Sequence, residues 1–289
     1  MKLATFTHPS HGGIGVVSDD RILPLAAADL PDDMLQFLQL GDTGMSRAKQ
    51  ALQASQAGLP LAEVQLQAPV LRPGKFLAIA LNYADHIEES GLDRPAHQTW
   101  FNKQITCVNG PDQPIHLPVA STMLDYEGEL GVVIGKRCRH VPKDRALEVI
   151  AGFTIVNDVS VRDWQLRAQT FQIGKSFDTH GPCGPYLVTA DEVADPHNLS
   201  LKTWVNDELR QDSNTRHLIF DCFEQIEHLS TAFTLEPGDV LATGTPAGVG
   251  MSMRPPQYLQ EGDVIRIEIE KLGVLENRVA KEPGGTLIE

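Results

Sequence analysis

Short apolar runs separated by turn formers dominate the chain, and long helical stretches are few. Near the start, Gly12-Gly13-Ile14-Gly15-Val16-Val17 and Arg21-Ile22-Leu23-Pro24-Leu25 flank Ser18-Asp19-Asp20 and read as two strands about a turn. Pro24 has no N–H, which places the second run at a sheet edge. Met34, Phe37, Leu38, Ala48 and Leu52 fall at helical spacing over residues 33–55, with a break at Gly41-Asp42. A proline-flanked segment, 58–73, follows. A boundary is therefore expected near residue 70, with a small α+β N-terminal domain over 1–70 and a larger domain over 71–289.

Beyond that boundary the texture changes. Phe76-Leu77-Ala78-Ile79-Ala80-Leu81 is continuously apolar, as a strand buried on both faces must be. Leu130 to Ile134 and residues 149–156 repeat the pattern. Residues 201–209 and 264–269 alternate apolar and polar, whereas Phe223, Ile226, Leu229 and Phe233 are spaced as on a helix. Many short strands with few long helices indicate a mostly-β, α+β fold.

Two strand ends carry the candidate chemistry. Asp125-Tyr126-Glu127-Gly128-Glu129 leads into the apolar run, so Glu127 and Glu129 share one face of a strand, with Asp125 on that face too. Side-by-side carboxylates repel and are costly to desolvate, and a hard divalent cation offsets both effects. Acidic pairs also occur on ordinary solvated strand ends, so these residues alone leave both readings open. Asp158 ends the second apolar run, and three carboxylates suit octahedral Mg2+ or Mn2+ better than zinc.

After the 76–81 strand comes Asn82-Tyr83-Ala84-Asp85-His86-Ile87-Glu88-Glu89-Ser90-Gly91. This is a strand-to-helix junction in which Asn82 or Asp85 could cap and Gly91 could close. His86 and Glu89 share a helix face, which fits a general acid/base pair and equally a surface His–Glu pair. Lys175 and Arg162 could neutralise a substrate carboxylate or a developing oxyanion. The Gly/Thr/Pro-rich stretch 243–250 could offer N–H groups to an anionic ligand. Together these groups suit a chelating oxo acid held through adjacent keto and carboxylate oxygens.

The net charge of −14 opposes a nucleic-acid footprint and attraction to an anionic membrane. No apolar run approaches the roughly 20 residues that span a bilayer, and the N-terminus has no signal-peptide pattern. The four cysteines are far apart, as incidental thiols in a reducing compartment would be, so a cytoplasmic enzyme is expected.

From about residue 72 to 275 the chain resembles the fumarylacetoacetate hydrolase family. The likeness lies in Leu81 to His86, Asp125 to Gly131, Asn157 to Asp163, Gly174-Lys175-Ser176-Phe177-Asp178, Gly184-Pro185 and Thr243 to Gly250. It implies a mixed β-roll catalytic domain, a small N-terminal domain and usually a homodimer. It implies one Mg2+ or Mn2+ per subunit at Glu127, Glu129 and Asp158. It also implies a His86–Glu89 pair on a short helix over the substrate, with Lys175 near the oxygen the cation would bind. Tyr83, Arg162, Gln165 and Thr245 match substrate-site positions. Members hydrolyse C–C bonds in 2,4-dioxo acids, decarboxylate oxaloacetate, or isomerise related dioates. Phe101-Asn102-Lys103 and residues 250–259 look most like members acting on 2,4-diketo-3-deoxy sugar acids, but Arg167-Ala168-Gln169-Thr170 stands where those often carry Arg-Gly-Gly. The expected reaction is hydrolysis of a 2,4-dioxo acid to pyruvate and a carboxylic acid. Oxaloacetate-type decarboxylation, or isomerisation or hydration of a related 2-oxo acid, is the alternative. A non-catalytic metabolite-binding homologue is the reading from another class.

Overall fold

Apolar residues and glycine dominate the 128–134 and 150–157 runs, and both strands, Gly128–Ile134 and Ile150–Asn157, are buried along their whole length. They pair antiparallel at the centre of a large sheet. The computed structural model describes residues 1–54, 58–91 and 93–288; residues 55 and 289, the ends of two expected segments, lie outside these. Along the sheet the order is Leu59–Pro60, Arg21–Pro24, His11–Ser18, Lys2–His8, Gly181–Thr189, Ile150–Asn157, Gly128–Ile134, Val240–Ala242, Phe76–Ala80 and Thr99–Asn102. Phe76–Ala80 runs parallel to Val240–Ala242, so the sheet is mixed.

A second sheet of five strands carries Glu208–Asn214, Ser200–Val205, Val264–Ile269, Gly273–Lys281 and Ile115–Leu117. One apolar cluster joins the two sheets and includes Leu130, Val132, Phe153, Leu201, Ile265 and Ile267. The N-terminal strands extend the main sheet through the pairing of Lys2–His8 with Gly181–Thr189. Met34, Phe37 and Ala48 share a second cluster with Phe76, Val133 and Val240, so the first 70 residues are packed on the rest.

The strand register sets up the site. Gly128 pairs with Asn157, which puts Glu127 beside Asp158; the Asp158 N–H donates to the Glu127 carbonyl at 2.9 Å. Val240–Ala242 and Phe76–Ala80 end at this same edge and deliver residues 243–250 and 81–91 there. Gly128 is required between the two glutamates because a Cβ would run into the Thr203 hydroxyl of the second sheet.

Within the expected helical span two helices form, Met34–Gln39 and Gly41–Ala54, with Gly41 at φ +54° at the break. Cys222–Ala232 is helical and opens with a capping box between Asp221 and Glu224.

His180 makes a testable contribution to stability. Its ring stacks on Phe177 with centroids 5.5 Å apart, and Nε2–H donates to the His116 carbonyl at 2.8 Å. Burial pushes its pKa down to about 3, against the opposing hydrogen bond. The folded chain thus refuses a proton that the unfolded chain binds below about pH 6.5. Stability is expected to fall as pH drops from about 6.5 towards 3. Denaturant titrations of wild type and His180→Gln across that window check this: the variant should show the shallower slope.

Candidate active site

Asp158 is the hub. It is buried, and it accepts from Lys103 Nζ at 2.6 Å through Oδ1 and from Lys175 Nζ at 2.8 Å through Oδ2. Lys175 Nζ also reaches Glu127 Oε2 at 2.7 Å. Arg162 donates from Nη1 to Glu127 Oε1 at 2.6 Å and from Nε to Asp125 Oδ2 at 2.8 Å. Although burial pushes the Glu127 carboxyl up, Lys175 and Arg162 outweigh it and bring its pKa down to about 2. Burial likewise lowers the pKa of Lys103, but Asp158 reverses the effect and holds it raised.

Glu129 differs. Burial raises its carboxyl well above the usual range, and Asp158 and Glu127 push the same way. One oxygen accepts from the Gly244 N–H at 2.7 Å; the other has no hydrogen-bond partner among the described residues. Candidate ligand oxygens of Glu127, Glu129 and Asp158 all lie within 4.8 Å of one another, and all three residues are buried. Counting Asp125, four buried carboxylates face three buried cations, Lys103, Arg162 and Lys175. A hard divalent ion on this all-oxygen set would relieve Glu129 and leave a net positive site for a carboxylate ligand. The residues therefore fit Mg2+ or Mn2+.

The loop over residues 243–250 does not hold its N–H groups open for an anion. It spends them on the chain's own carboxylates: Gly244 on Glu129, Gly248 on Glu89 at 3.0 Å and Gly250 on Asp125 at 2.9 Å. Gly244 stands at φ +104°, where its backbone turns against Asn82. Asp125, expected beside the glutamates, is turned away to Arg162 and to the Gly250 and Met251 N–H groups.

Ala84–Ser90 is a helix closed by Gly91 at φ +66°. Asn82 does not cap it; its amide ties the backbones of Phe220 and Thr243. His86 Nδ1 lies 3.3 Å from Glu89 Oε2. An ionised carboxylate only accepts, so Nδ1 carries the proton and Nε2 is left as the base. Burial raises the Glu89 carboxyl, but hydrogen bonds from His86, Gly248 and Ser252 outweigh it and keep it below its usual range.

His86, Glu127, Arg162, Gln165, Lys175 and Thr245 line one cleft of about 170 Å3. Gln165 accepts from Arg162 Nη1 at 3.0 Å. The Thr245 hydroxyl is committed to the Gly128 carbonyl and the Gln211 amide, so it braces the wall. Tyr83 is the exception among the expected site residues. It is fully buried behind the cleft, its hydroxyl has no partner among the described residues, and burial beside Glu129 raises its pKa. The fold packs Tyr83 inward, and it is not among the residues lining the cleft.

Two functional residues escaped the sequence reading. Lys103 stood only in a stretch that resembles certain family members, with no role assigned to it. Gln211 is buried and clamps Gly128, Thr245 and Pro246 across the two sheets. Nothing in its local sequence separates it from a surface glutamine.

The family model for the fumarylacetoacetate (FAA) hydrolase C-terminal region matches residues 75–280. The chain belongs to the fumarylacetoacetate hydrolase family. A Rattus norvegicus relative named a mitochondrial oxaloacetate tautomerase is 45% identical over 96% of this chain and 91% of its own length. A Sphingobium maleylpyruvate hydrolase, crystallised with manganese(II) and pyruvate, superposes with a TM-score of 0.81 at 34% identity, over 98% of this chain and 100% of the other. A Mycobacterium marinum 2-hydroxyhepta-2,4-diene-1,7-dioate isomerase superposes with a TM-score of 0.77 at 31% identity, again over 98% and 100%. This family member is mostly β, with mixed sheets. None of its described helices is long and apolar enough to cross a membrane.

Proposed function

We propose that this chain catalyses keto–enol tautomerisation of a 2-oxo acid of the oxaloacetate type, using Mg2+ or Mn2+ on Glu127, Glu129 and Asp158. One observation carries the reading: a single proton-carrying imidazole, His86, faces the same cleft as the charged floor of Glu127, Arg162 and Lys175. The similarity to oxaloacetate tautomerases supports it.

A bound divalent ion would polarise the 2-oxo group. The chain's own residues do the rest. Arg162 and Gln165 meet the carboxylate end of the substrate. Nε2 of His86 takes a proton from C3 and hands it to the 2-oxygen. The C3–H bond breaks, an O–H bond forms, and the C–H electron pair becomes the C2=C3 bond. Glu89 holds Nδ1–H and stabilises the imidazolium between the two transfers. The Lys175 ammonium, fixed by Glu127 and Asp158, offsets the charge gathering on the 2-oxygen.

Hydrolysis of an acylpyruvate is the second reading. The His86–Glu89 bond favours it, because the same pair could activate water for attack at C4. In either case the enzyme is taken to be a cytoplasmic homodimer, which light scattering and cell fractionation check.

The deciding assay follows the ultraviolet absorbance of enol-rich oxaloacetate with Mn2+-loaded protein, alongside pyruvate release. Faster enol decay without pyruvate is expected. Pyruvate from oxaloacetate would mark a decarboxylase. If acetylpyruvate yields pyruvate and acetate while the oxaloacetate enol decays at the buffer rate, hydrolysis replaces the tautomerase reading. EDTA is expected to abolish activity. Mn2+ at about a hundred times its Kd should add about 2.7 kcal/mol of stability, read as a rise in Tm.

A further inference from the structure

Not all of the cleft is charged. Leu81, Phe101, Leu166, Phe171, Val249 and Met251 among its lining residues are apolar. The side chains there that can carry positive charge are Arg162, Lys175 and His86. The first two are held by Asp125, Glu127 and Asp158, and the third carries the proton. With Arg162 taken by the carboxylate end of the substrate and Lys175 by the 2-oxygen, no further lysine or arginine among the cleft-lining residues is left for a carboxylate on the tail.

Backbone strain points to the same apolar residues. Among the described residues, ten non-glycine residues have positive φ, and only Leu81 and Phe171 of these bear large apolar side chains. Leu81 stands at φ +52° and Phe171 at φ +58°, and both line this cleft. A bulky side chain in the left-handed region is strained, and such outliers cluster where a site needs a particular side-chain placement. Phe171 sits edge-on to Phe101, with centroids 6.2 Å apart and rings at 88°. Phe101 in turn lies over the Lys175 ammonium, 5.3 Å from its ring centroid. The aromatic wall thus begins where the charged floor ends.

Resting on the enolising centre proposed above, we infer that this cleft also accepts arylpyruvates, 2-oxo acids with an uncharged aromatic group on C3, and that Phe171 and Leu81 set this preference. The chemistry is unchanged: His86 removes a C3 proton and the 2-oxygen receives it. The aryl ring packs against Phe101 and Phe171, where aromatic pairs gain from edge-to-face contact.

The test is deuterium uptake at C3, followed by proton NMR in D2O with Mn2+-loaded protein, on phenylpyruvate and oxaloacetate in parallel. Wild type is expected to accelerate exchange into both. Phe171→Gly removes the ring and relieves the backbone; it should lower the phenylpyruvate-to-oxaloacetate ratio of kcat/KM by about tenfold or more. Phe171→Asn tolerates the left-handed backbone and should act in the same direction, which covers a folding failure of the glycine variant. Exchange into oxaloacetate but not phenylpyruvate overturns the inference and leaves the enolising centre standing. Exchange into neither overturns both. A ratio unmoved in folded variants overturns the role of Phe171.

Discussion

His86→Ala is expected to lower kcat for enol interconversion by about a hundredfold to ten-thousandfold, the range typical of a general acid/base group. Among the described residues lining the cleft it is the one histidine, and Glu89 fixes its tautomer at 3.3 Å. It is not one of the three carboxylates that would hold the cation. Mn2+ affinity should therefore stay within about threefold of wild type, since a nearby exposed or half-buried group adds well under 1 kcal/mol. Steady-state kinetics and a Mn2+ titration separate the two quantities. A kcat within tenfold of wild type would remove His86 from the mechanism. Glu89→Gln should fall between the two, because it keeps a hydrogen-bond acceptor but not the charge that stabilises the imidazolium.

Asp158→Ala carries the largest expected cost in stability. Both oxygens of Asp158 are spent on lysines, at 2.6 and 2.8 Å, and all three side chains are buried. Removing the acid strands Lys103 and weakens the anchoring of Lys175. Breaking a buried pair from one side costs about 3–5 kcal/mol. Urea unfolding measures that loss. The same variant should lose the Mn2+-dependent rise in Tm, because it lacks one of three oxygen ligands. A variant that keeps wild-type Mn2+ affinity would mean that the cation sits elsewhere. Asp158→Asn is the milder companion: it retains one acceptor oxygen and should fold better while still binding Mn2+ poorly.

Much of this was legible along the chain because the signals are local. Largely apolar runs at 76–81, 130–134 and 149–156 mark strands covered on both faces, and all three lie in the central sheet. Glu127, Glu129 and Asp158 stand at the ends of such runs, where carboxylates need an explanation, and the fold brings them together. The His86–Glu89 spacing is a helix spacing, and the helix is there.

Other features depend on groups far apart in sequence. Tyr83 follows Asn82 in a recognisable motif, yet tertiary packing buries it fully. The 243–250 loop looked ready for an anion, but its N–H groups are satisfied by Glu89, Asp125 and Glu129, which lie more than a hundred residues away in sequence. Lys103 and Gln211 gained their roles only when distant strands met.

The sequence by itself thus determined most element types, through periodicity and spacing that act within a few residues, and its motifs carried the resemblance to the family, which singled out Glu127, Glu129, Asp158, His86 and Glu89. Tertiary structure alone decided which polar groups are already spent. It also decided that Asp125 serves Arg162, and that two strained apolar residues wall the cleft. A buried hydrogen bond or ion pair is set by the distance between chains in space, and that distance is not written in the neighbouring residues.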